Sequence, residues 1–318
     1  MIIIQLAGGL GNQMFQYALY LQLKSLGKDV KIDDWTGFVQ DKQRELSLKP
    51  FGISYERATP KELEQMLDSA PDLWSKVRRK LCGRNKKAYF EADKRYKPEI
   101  MSWDDIYLEG YWQTEKYFRA VSGEVKKAYD VDRLTQYVRE KVRENMGTDR
   151  GHATKQGAQF EKQLAQITSG ESVSVHIRRG DYLLPENQAL FGGICTETYY
   201  KKAMMQMKRE HPECKFYLFT NDKQWIKEQI ADDINIEIVD VGEQSDYGEF
   251  VLMSMCRHNI LANSSFSWWA SYLNKNPDKT VFAPDRWLNG WDCSDFYRED
   301  MRKITVEREA MKGTTIDE

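Results

Sequence analysis

The sequence predicts an α/β protein with two domains, each built on a parallel sheet. Three observations support this prediction. The chain has 318 residues, more than an average single domain. Its second half alternates short apolar strands with segments of helical period, a pattern typical of a parallel sheet covered on both faces. Its first residues read as a strand, a glycine-rich turn and a helix, which is how a βαβ unit begins.

The N-terminal turn has the sequence AGGLGNQ and follows a predicted buried strand over residues 2–6. A helix is predicted from about residue 13 to residue 26, and the next strand, residues 30–33, ends on Asp33. Such a turn is typical of dinucleotide-binding domains, in which an acidic residue near this spacing binds the ribose. Met14 stands where the third glycine of that motif belongs. A tight turn that binds no ligand therefore remains an alternative interpretation.

The middle of the chain has a weaker pattern. Residues 76–87, KVRRKLCGRNKK, are strongly basic, and we interpret them as a solvated helix face and loop, with an anionic partner surface as the alternative. Residues 130–132 contain the DxD sequence of the chain, which we interpret as part of a solvated helix rather than a metal site. Residues from about 148 to 171 are polar and predict a linker. The predicted domains are therefore 1–165 and 166–318.

The most informative stretch is the strand VSVHIRRGDY, residues 173–182. Its alternation predicts one buried face, with His176 and Arg178 together on the other face near the carboxyl end of the strand. Gly180 is expected to take a positive φ in the turn that follows. Open α/β sheets bind ligands beyond the carboxyl ends of their strands, and a guanidinium there suits a phosphate group.

Four further strands are predicted at residues 216–222, 235–242, 258–263 and 280–284. After the predicted strand at residues 258–263, Ser264 or Ser265 is a natural N-cap for a helix that ends near residue 274. The N–H groups of its first turn, at Ser264, Ser265 and Phe266, form a predicted anion site. Arg178 and this helix together predict a diphosphate-binding site.

Composition excludes several classes of protein. The net charge of −2 gives no reason to expect nucleic acid or an anionic membrane as a partner. The five cysteines form no CxxC pair and are expected to be reduced thiols, without a disulfide framework or a zinc site. No apolar run reaches the length of a membrane helix, and no signal peptide is expected before the first strand. The predicted location is cytoplasmic, with peripheral association at the inner face of the membrane through the basic stretch left open.

Five sequence blocks, taken in order, resemble the bacterial α-1,2-fucosyltransferases of glycosyltransferase family 11. They are GGLGNQMFQYA, EGYWQTEKYF, HIRRGDY, FTND and LMSMCRHNILANSSFSWWASYL, and they span nearly the whole chain. The resemblance implies a GT-B-like fold, in which two Rossmann-like domains with parallel sheets face each other across a cleft. It also implies inverting transfer of L-fucose from GDP-β-L-fucose to the 2-hydroxyl of a terminal galactose in a glycan acceptor, with no metal and no cofactor.

The resemblance also implies roles for individual residues. Arg178 and Asn12 would be catalytic: Arg178 would bind the β-phosphate, and Asn12, beside Gly11 in the glycine turn, would reach the fucosyl or leaving oxygen. His176 would help to hold the nucleotide, and Glu249 would bind guanine where related sequences usually carry aspartate. The first turn of the later helix would donate to the diphosphate through Ser264, Ser265 and Phe266. The N-terminal domain would lie on the acceptor side, the C-terminal domain would bind GDP-fucose, and no general base is assigned.

Two other functions remain open at this stage. The glycine turn and Asp33 suit an NAD-dependent oxidoreductase or a nucleotide-sugar epimerase. The nine tryptophans suit a non-catalytic carbohydrate-binding module. Trp268 and Trp269, which lie inside a predicted helix, are expected to pack in the protein rather than to stack on sugars.

Overall fold

The computed structural model describes residues 1–39, 41, 43–145, 150–230, 235–241 and 245–306. The chain divides into two compact units. Unit 1 comprises Met1–Thr148 and Asp292–Arg298, and unit 2 comprises Asp149–Trp291 and Glu299–Glu318. Each unit holds one sheet whose strand pairs are parallel and is combined with helices. The predicted α/β class, with two Rossmann-like domains built on parallel sheets, is confirmed.

Unit 1 contains four strands and five helices among its described residues. They are β1 (Ile2–Gln5), α1 (Leu10–Ser25), β2 (Val30–Asp33), α2 (Pro60–Leu67), α3 (Leu73–Cys82), β3 (Ala88–Phe90), β4 (Ile106–Glu109), α4 (Ser122–Ala128) and α5 (Val131–Asn145). The strand order is β2-β1-β4-β3. The order in which the chain adds strands across the sheet therefore reverses between β1 and β4. Strand β1 is buried along Ile2–Ile4, as the continuous apolar run predicted.

Unit 2 contains the larger of the two sheets, with six strands. Its elements are α6 (Arg150–Ser169), β5 (Ser172–Ile177), α7 (Pro185–Phe191), α8 (Glu197–Glu210), β6 (Lys215–Thr220), α9 (Lys223–Gln229), β7 (Ile236–Ile238), α10 (Ser245–Met255), β8 (His258–Ile260), α11 (Ser265–Leu273), β9 (Val281–Pro284) and β10 (Met301–Ile304). The strand order is β10-β9-β8-β5-β6-β7. Counted within the unit, this is the 3-2-1-4-5-6 order of the Rossmann fold. The point where the order reverses lies between β5 and β8.

The predicted linker is a helix instead. Within it, α6 buries Phe160, Leu164 and Ile167, which are three or four residues apart and therefore lie on one helical face. Gln163 is buried as well, but most of the other polar residues between them are exposed, and this polar composition is why the segment resembled a linker. Helix α6 belongs to unit 2, so the domain boundary predicted at residue 165 falls inside an element of that unit.

A short segment near the C-terminus, Asp292–Arg298, belongs to unit 1. Asp295 is buried and accepts hydrogen bonds from the Arg95 Nε at 3.1 Å, the Tyr96 N–H at 2.7 Å and the Lys116 Nζ at 2.5 Å. Burial acts to raise the pKa of this carboxyl, but the bonds from Lys116, Tyr96 and Arg95 outweigh it, and the pKa is lowered. One buried carboxylate thus attaches the segment to unit 1.

Candidate functional site

The carboxyl edge of the unit 2 sheet carries three polar side chains, two of which, Arg178 and Ser264, the sequence singled out. Arg178 follows β5, Asn221 follows β6, and Ser264 follows β8. Strand β5 pairs in parallel with both β6 and β8, so these three residues leave the sheet at the same edge. Arg178 and Ser264 flank the point where the strand order reverses. This is the position at which open α/β sheets bind ligands.

Strand β5 is buried on both faces, and the prediction of a single buried face is wrong. The strand lies in the middle of a sheet covered by helices, and its polar side chains are enclosed rather than solvated. Ser174 accepts a hydrogen bond from the Asn259 amide at 2.7 Å. His176 is 5% exposed, and its Nδ1 has no hydrogen-bond partner among the described residues. Burial, together with the charge of Arg178, lowers the pKa of His176 to about 3, so the imidazole is neutral.

The two arginines after β5 have different surroundings. Arg179 donates from Nε to Asp222 Oδ2 at 3.1 Å, and its guanidinium lies 4.5 Å from the centre of the Trp225 ring. Its backbone N–H donates to Asn221 Oδ1 at 3.1 Å. Arg178 is half-buried, and its guanidinium carbon lies 5.9 Å from the centre of the Tyr182 ring. Arg179 is therefore held by its neighbours in the turn, whereas the charge of Arg178 acts on the pKa of both His176 and Glu249.

Gly180 does not take a positive φ, and that prediction is wrong. Its glycine character has another reason, because a Cβ at this position would collide with the Asn221 side-chain amide. The absence of a side chain lets the turns after β5 and β6 approach each other. Tyr182 adds a second connection at this edge, since its hydroxyl donates to the Asn263 carbonyl at 3.0 Å. No role was predicted for Asn221 or Tyr182, although they lie in the blocks FTND and HIRRGDY.

Helix α11 begins as predicted, with Ser264 as its N-cap. The Ser264 hydroxyl accepts from the Phe266 N–H at 3.3 Å, and the Ser264 N–H donates to the Ala262 carbonyl at 2.8 Å. Two of the three N–H groups predicted to bind the diphosphate are thus engaged within the protein. The longer bond, to Phe266, is the one that a phosphate oxygen could replace after rotation of the Ser264 hydroxyl. Ser265 is the first residue of the helix itself.

Glu249 lies on α10 and makes no hydrogen bond or ion pair within the described part of the chain. Its pKa is raised to about 7, first because burial disfavours the charged form and second because Asp246 is nearby. Lys223 and Arg178 act in the opposite direction. The ring of Phe266, on α11, lies between α10 and β5. It is 5.3 Å from the ring of Phe250, on α10, and 5.7 Å from the ring of His176, on β5.

The structure therefore brings together the unit 2 residues that the sequence proposed. Arg178 is close enough to His176 and to Glu249 to shift the pKa of each. The arrangement combines a guanidinium, a neutral imidazole, a helix N-terminus and a desolvated carboxyl at one edge of a sheet. A guanidinium and a helix N-terminus can bind a diphosphate, and a carboxylate can accept from the N–H groups of a base.

The glycine turn of unit 1 is held by side-chain amides. Gln13 is fully buried; it donates to the Gly8 and Glu45 carbonyls, each at 2.8 Å. Gln16 accepts from the Ala7 N–H at 3.0 Å and donates to the Gly110 carbonyl at 2.8 Å. The Gln13 bonds join the turn after β1 to the segment after β2, and the Gln16 bonds join it to the residues after β4. Neither glutamine was predicted to have a role, although amide side chains at i and i+3 are present in the block GGLGNQMFQYA.

Asn12 and Gly11 lie in the first turn of α1, which starts at Leu10, earlier than predicted. Gly8 has a φ of 73°, and a Cβ there would lie 2.7 Å from Asn12 Nδ2. The Asn12 Oδ1 accepts from Gln113 Nε2 at 2.7 Å. Gln113 follows β4 in the block EGYWQTEKYF, so the point where the strand order of unit 1 reverses carries Asn12.

Asp33 does not have the surroundings of a ribose-binding residue. It is 2% exposed, and its carboxylate accepts from the N–H groups of Trp35 and Thr36, at 3.1 and 3.0 Å, and from Tyr107 Oη at 2.7 Å. The Thr36 hydroxyl also donates to it. With four donors already bound, the carboxylate stabilises the sheet and the segment after β2. The dinucleotide interpretation loses its acidic residue.

Two other clusters have structural roles. Asp130, in the DxD sequence, accepts from the Asp132 N–H at 3.1 Å at the start of α5. Trp268 and Trp269 are buried, as expected for packing residues.

In the described part of the chain, the one group of side chains close enough to hold a metal ion is Glu171, His211 and His258. The His258 Nδ1 accepts from the Thr280 N–H at 3.0 Å, so its Nε2 carries the proton and faces Glu171 Oε1 at 2.9 Å. This tautomer leaves His258 without a lone pair to offer a metal at that position.

Among the described helices, none is long and apolar enough to cross a membrane.

Comparison with known proteins adds the following. The sequence model described as Glycosyl transferase family 11 matches residues 1–301. The Escherichia coli protein named O-antigen biosynthesis glycosyltransferase WbnK is 28% identical and covers 90% of this chain and 94% of its own length. The Escherichia coli alpha-1,2-colitosyltransferase is also 28% identical, over 96% of this chain and 99% of its own. Galactoside alpha-(1,2)-fucosyltransferase 1 of Ateles belzebuth is 30% identical over 43% of this chain and 39% of that protein.

Two solved structures are similar at low identity. A mutant of Arabidopsis thaliana FUT1 in complex with GDP covers 90% of this chain and 71% of its own, with a TM-score of 0.42 and 12% identity. The NodZ alpha-1,6-fucosyltransferase soaked with GDP-fucose covers 89% of this chain and 94% of its own, with a TM-score of 0.35 and 13% identity.

Proposed function

We propose that this chain, which belongs to glycosyltransferase family 11, transfers L-fucose from GDP-β-L-fucose to the 2-hydroxyl of a terminal galactose in a glycan, with inversion at the fucose anomeric carbon. The family match over residues 1–301 supports glycosyl transfer. The observation that carries the donor assignment is the grouping of Arg178, His176 and Glu249 beside the N-terminus of α11, where the strand order of unit 2 reverses.

In the proposed reaction the bond from fucose C1 to the diphosphate oxygen breaks, and a bond from the acceptor oxygen to C1 forms. The electron pair of the broken bond stays on the diphosphate, and the hydroxyl proton of the acceptor leaves to solvent or to a base. Negative charge therefore grows on the diphosphate in the transition state. Donors that are already in place where charge develops contribute strongly to catalysis.

Arg178 and the first turn of α11 supply such donors from the protein itself. The guanidinium stays charged at any relevant pH and can donate two bonds to phosphate oxygens. His176 is neutral and can donate one N–H or accept one bond, so it adds no further charge beside Arg178. We propose that this pair and the Ser264 helix together neutralise the leaving group without a metal ion.

Glu249 is proposed to bind the guanine base. A carboxylate can accept from the guanine N1–H and amino groups together, and Glu249 has no competing partner within the described part of the chain. Its raised pKa shows that the ionised form lacks solvation in the free protein. Bonds from guanine would replace that solvation and would favour the ionised form.

The proposal is tested by a transfer assay with GDP-fucose and a panel of galactosides, with and without a chelator. We expect an α-1,2-linked fucosylated product, in a yield that the chelator does not change. Parallel thermal melts should show that GDP raises the melting temperature and NAD does not. Release of free fucose without a fucosylated product would contradict the proposed acceptor. Activity that disappears with the chelator would contradict the proposal that no metal is needed.

A second candidate is transfer of colitose. A colitosyltransferase is 28% identical to this chain over almost the full length of both proteins. The same assay run in competition between the fucose donor and the corresponding colitose donor separates the two functions. We expect the fucose donor to have the larger kcat/KM.

A further inference from the structure

Helix α3 presents its apolar residues to solvent. Leu73, Trp74 and Leu81 are each about 80% exposed, and Val77 is 43% exposed. At 100° per residue these four side chains lie within an arc of about 100°, so they form one continuous face. No residue of α3 is buried. The helix therefore gains almost none of the stability that an amphipathic helix normally obtains from a covered apolar face.

Side chains of α3 outside the apolar arc are bonded to the segments on either side of the helix, which fixes the outward direction of the apolar face. Arg79 donates to the Ala70 carbonyl at 2.7 Å, and Arg78 donates to the carboxylate of Asp68. The same carboxylate accepts the Asn85 N–H at 2.9 Å, so it holds the loop after the helix as well. Asp72 caps the helix through the Ser75 N–H at 2.8 Å. The hydrogen bonds at both ends of α3 thus fix the direction of its exposed apolar face.

Positive charge surrounds this face. Residues 73–90 contain seven lysines and arginines and no acidic residue. Lys76, Lys80 and Arg84 are exposed and have no acidic partner within the described ranges. On the helix, Lys76 and Lys80 border one edge of the apolar arc and Arg78 borders the other.

We propose that α3 docks on an anionic lipid bilayer, with Leu73, Trp74, Val77 and Leu81 inserted at the level of the headgroups. An apolar face that contains tryptophan and is bordered by basic side chains is the pattern of helices that lie in the membrane interface. Arg78 and Arg79 pair with Asp68, and Lys87 pairs with Asp105, so the charges left to a partner are those of Lys76, Lys80, Arg84 and Lys86. A protein partner would need acidic groups around an apolar groove, and a second copy of this chain would bring the same positive charges against these. Anionic headgroups neutralise these charges together. This inference is independent of the reaction proposed above.

The test is co-sedimentation of the full chain with vesicles of phosphatidylcholine alone or with about 30% phosphatidylglycerol. We expect binding to the anionic vesicles only, and weaker binding in high salt. Lys76→Glu with Lys80→Glu should lower the partition coefficient at least about 25-fold, from about fivefold per basic residue lost. Trp74→Ser with Leu81→Ser should lower it more than about tenfold, because both side chains would insert.

Matched controls change the same chemistry elsewhere on the surface. Leu26→Ser removes another half-exposed leucine, and Lys61→Glu with Lys227→Glu reverses two other exposed lysines. We expect the controls to bind as the unchanged chain does, and far-UV circular dichroism should show that all variants are folded. No binding to anionic vesicles, equal losses in the controls, or a dimer in the absence of lipid that Trp74→Ser with Leu81→Ser abolishes would each overturn the proposal.

Discussion

The glycine turn of unit 1 and the carboxyl edge of unit 2 occupy equivalent places, each at the point where the strand order of a parallel sheet reverses. They use their polar side chains differently. In unit 1, Gln13, Gln16 and Asp33 are bonded to backbone groups and hydroxyls within the unit. In unit 2, the His176 Nδ1 is buried without a partner, and the half-buried Glu249 makes no hydrogen bond or ion pair, among the described residues.

Polar residues without a partner are available to a ligand, and those already paired are not. Burying a polar group costs free energy unless a partner compensates, so most buried polar groups are paired. A paired group such as Asp33 stabilises the backbone around it. An unpaired one such as His176 is a cost to the fold that a bound ligand can repay. The comparison therefore predicts that substitutions in the turn lower stability, whereas substitutions at the unit 2 edge lower activity or affinity.

The largest expected effect is that of Arg178→Ala on transfer. Removal of the guanidinium takes a donor away from the charge that grows on the diphosphate, and we expect kcat to fall about 10²–10³-fold. Arg178→Lys should also lose most of the activity, because an ammonium cannot donate two bonds in the same plane. Single-turnover kinetics with GDP-fucose measure both effects.

Arg179→Ala is the matched control for this prediction, since Arg179 is the adjacent arginine and is paired with Asp222. We expect it to lower the free energy of unfolding by up to about 1 kcal/mol and to keep most of the transfer rate. If the two alanine variants lose the same activity, the distinction between the two arginines is wrong.

The next effect is on stability and comes from the turn side of the comparison. Asp33→Ala leaves four donors without their acceptor, and we expect the free energy of unfolding to fall by about 3 kcal/mol. Asp33→Asn keeps one acceptor oxygen for the two N–H groups and should lose less than half of that. Urea denaturation measures both variants. A stable Asp33→Ala chain that no longer binds a nucleotide would restore the ribose-binding interpretation.

The sequence predicted β1, β2 and the strands from β5 to β9, a cap at Ser264 or Ser265, and Arg178 at the unit 2 edge, because these depend on local patterns. Strands β3 and β10 were not predicted. Alternation or a short apolar run indicates a strand, and a serine after an apolar strand indicates a cap. It failed at β5 because the position of a strand within a sheet depends on long-range pairing. Ser174 and His176 resemble an exposed face in the sequence, but the partners that bury them lie far along the chain.

Charge and hydrogen bonds at the site were also beyond the sequence. Nothing local shows that Asp33 is enclosed by donors from β4 and the segment after β2, or that Glu249 lacks any. The linker prediction at 148–171 failed for another reason. Three buried residues, Phe160, Leu164 and Ile167, were present at helical spacing, but the polar composition of the segment outweighed them. The site assignments themselves stay predictions until variants are tested.

A smaller effect is expected from pH, which should change the affinity for GDP-fucose through the Glu249 carboxyl. Its pKa of about 7 in the free protein means that the carboxyl is mostly protonated at pH 6 and mostly ionised at pH 8. If guanine binds the ionised form, the affinity for GDP-fucose should be about tenfold weaker at pH 6 than at pH 8. GDP-fucose suits calorimetry here because its diphosphate has no terminal phosphate that titrates near neutral pH.

Glu249→Gln supplies the control for that measurement. We expect weaker binding that no longer depends on pH between 6 and 8. The same burial favours the neutral carboxyl, so the free energy of unfolding should decrease as pH rises from the ordinary glutamate range through 7, and the glutamine variant should lack this decrease. A pH dependence that survives in Glu249→Gln would assign the titration to another group.

The smallest effect, and the sharpest test of the comparison, is that of His176→Leu. The imidazole is neutral, buried and without a partner at Nδ1, so an apolar side chain of similar size should leave the free energy of unfolding unchanged or raise it by about 1 kcal/mol. If His176 bonds to the nucleotide, the same variant should bind GDP more weakly, by about 5- to 10-fold for one hydrogen bond. Opposite signs for stability and affinity are what an unpaired ligand-binding group predicts. Because Asp33→Ala should lower stability through the loss of existing bonds, a similar loss of stability in His176→Leu would show that this histidine, too, has a structural partner and that the difference between the two edges does not hold.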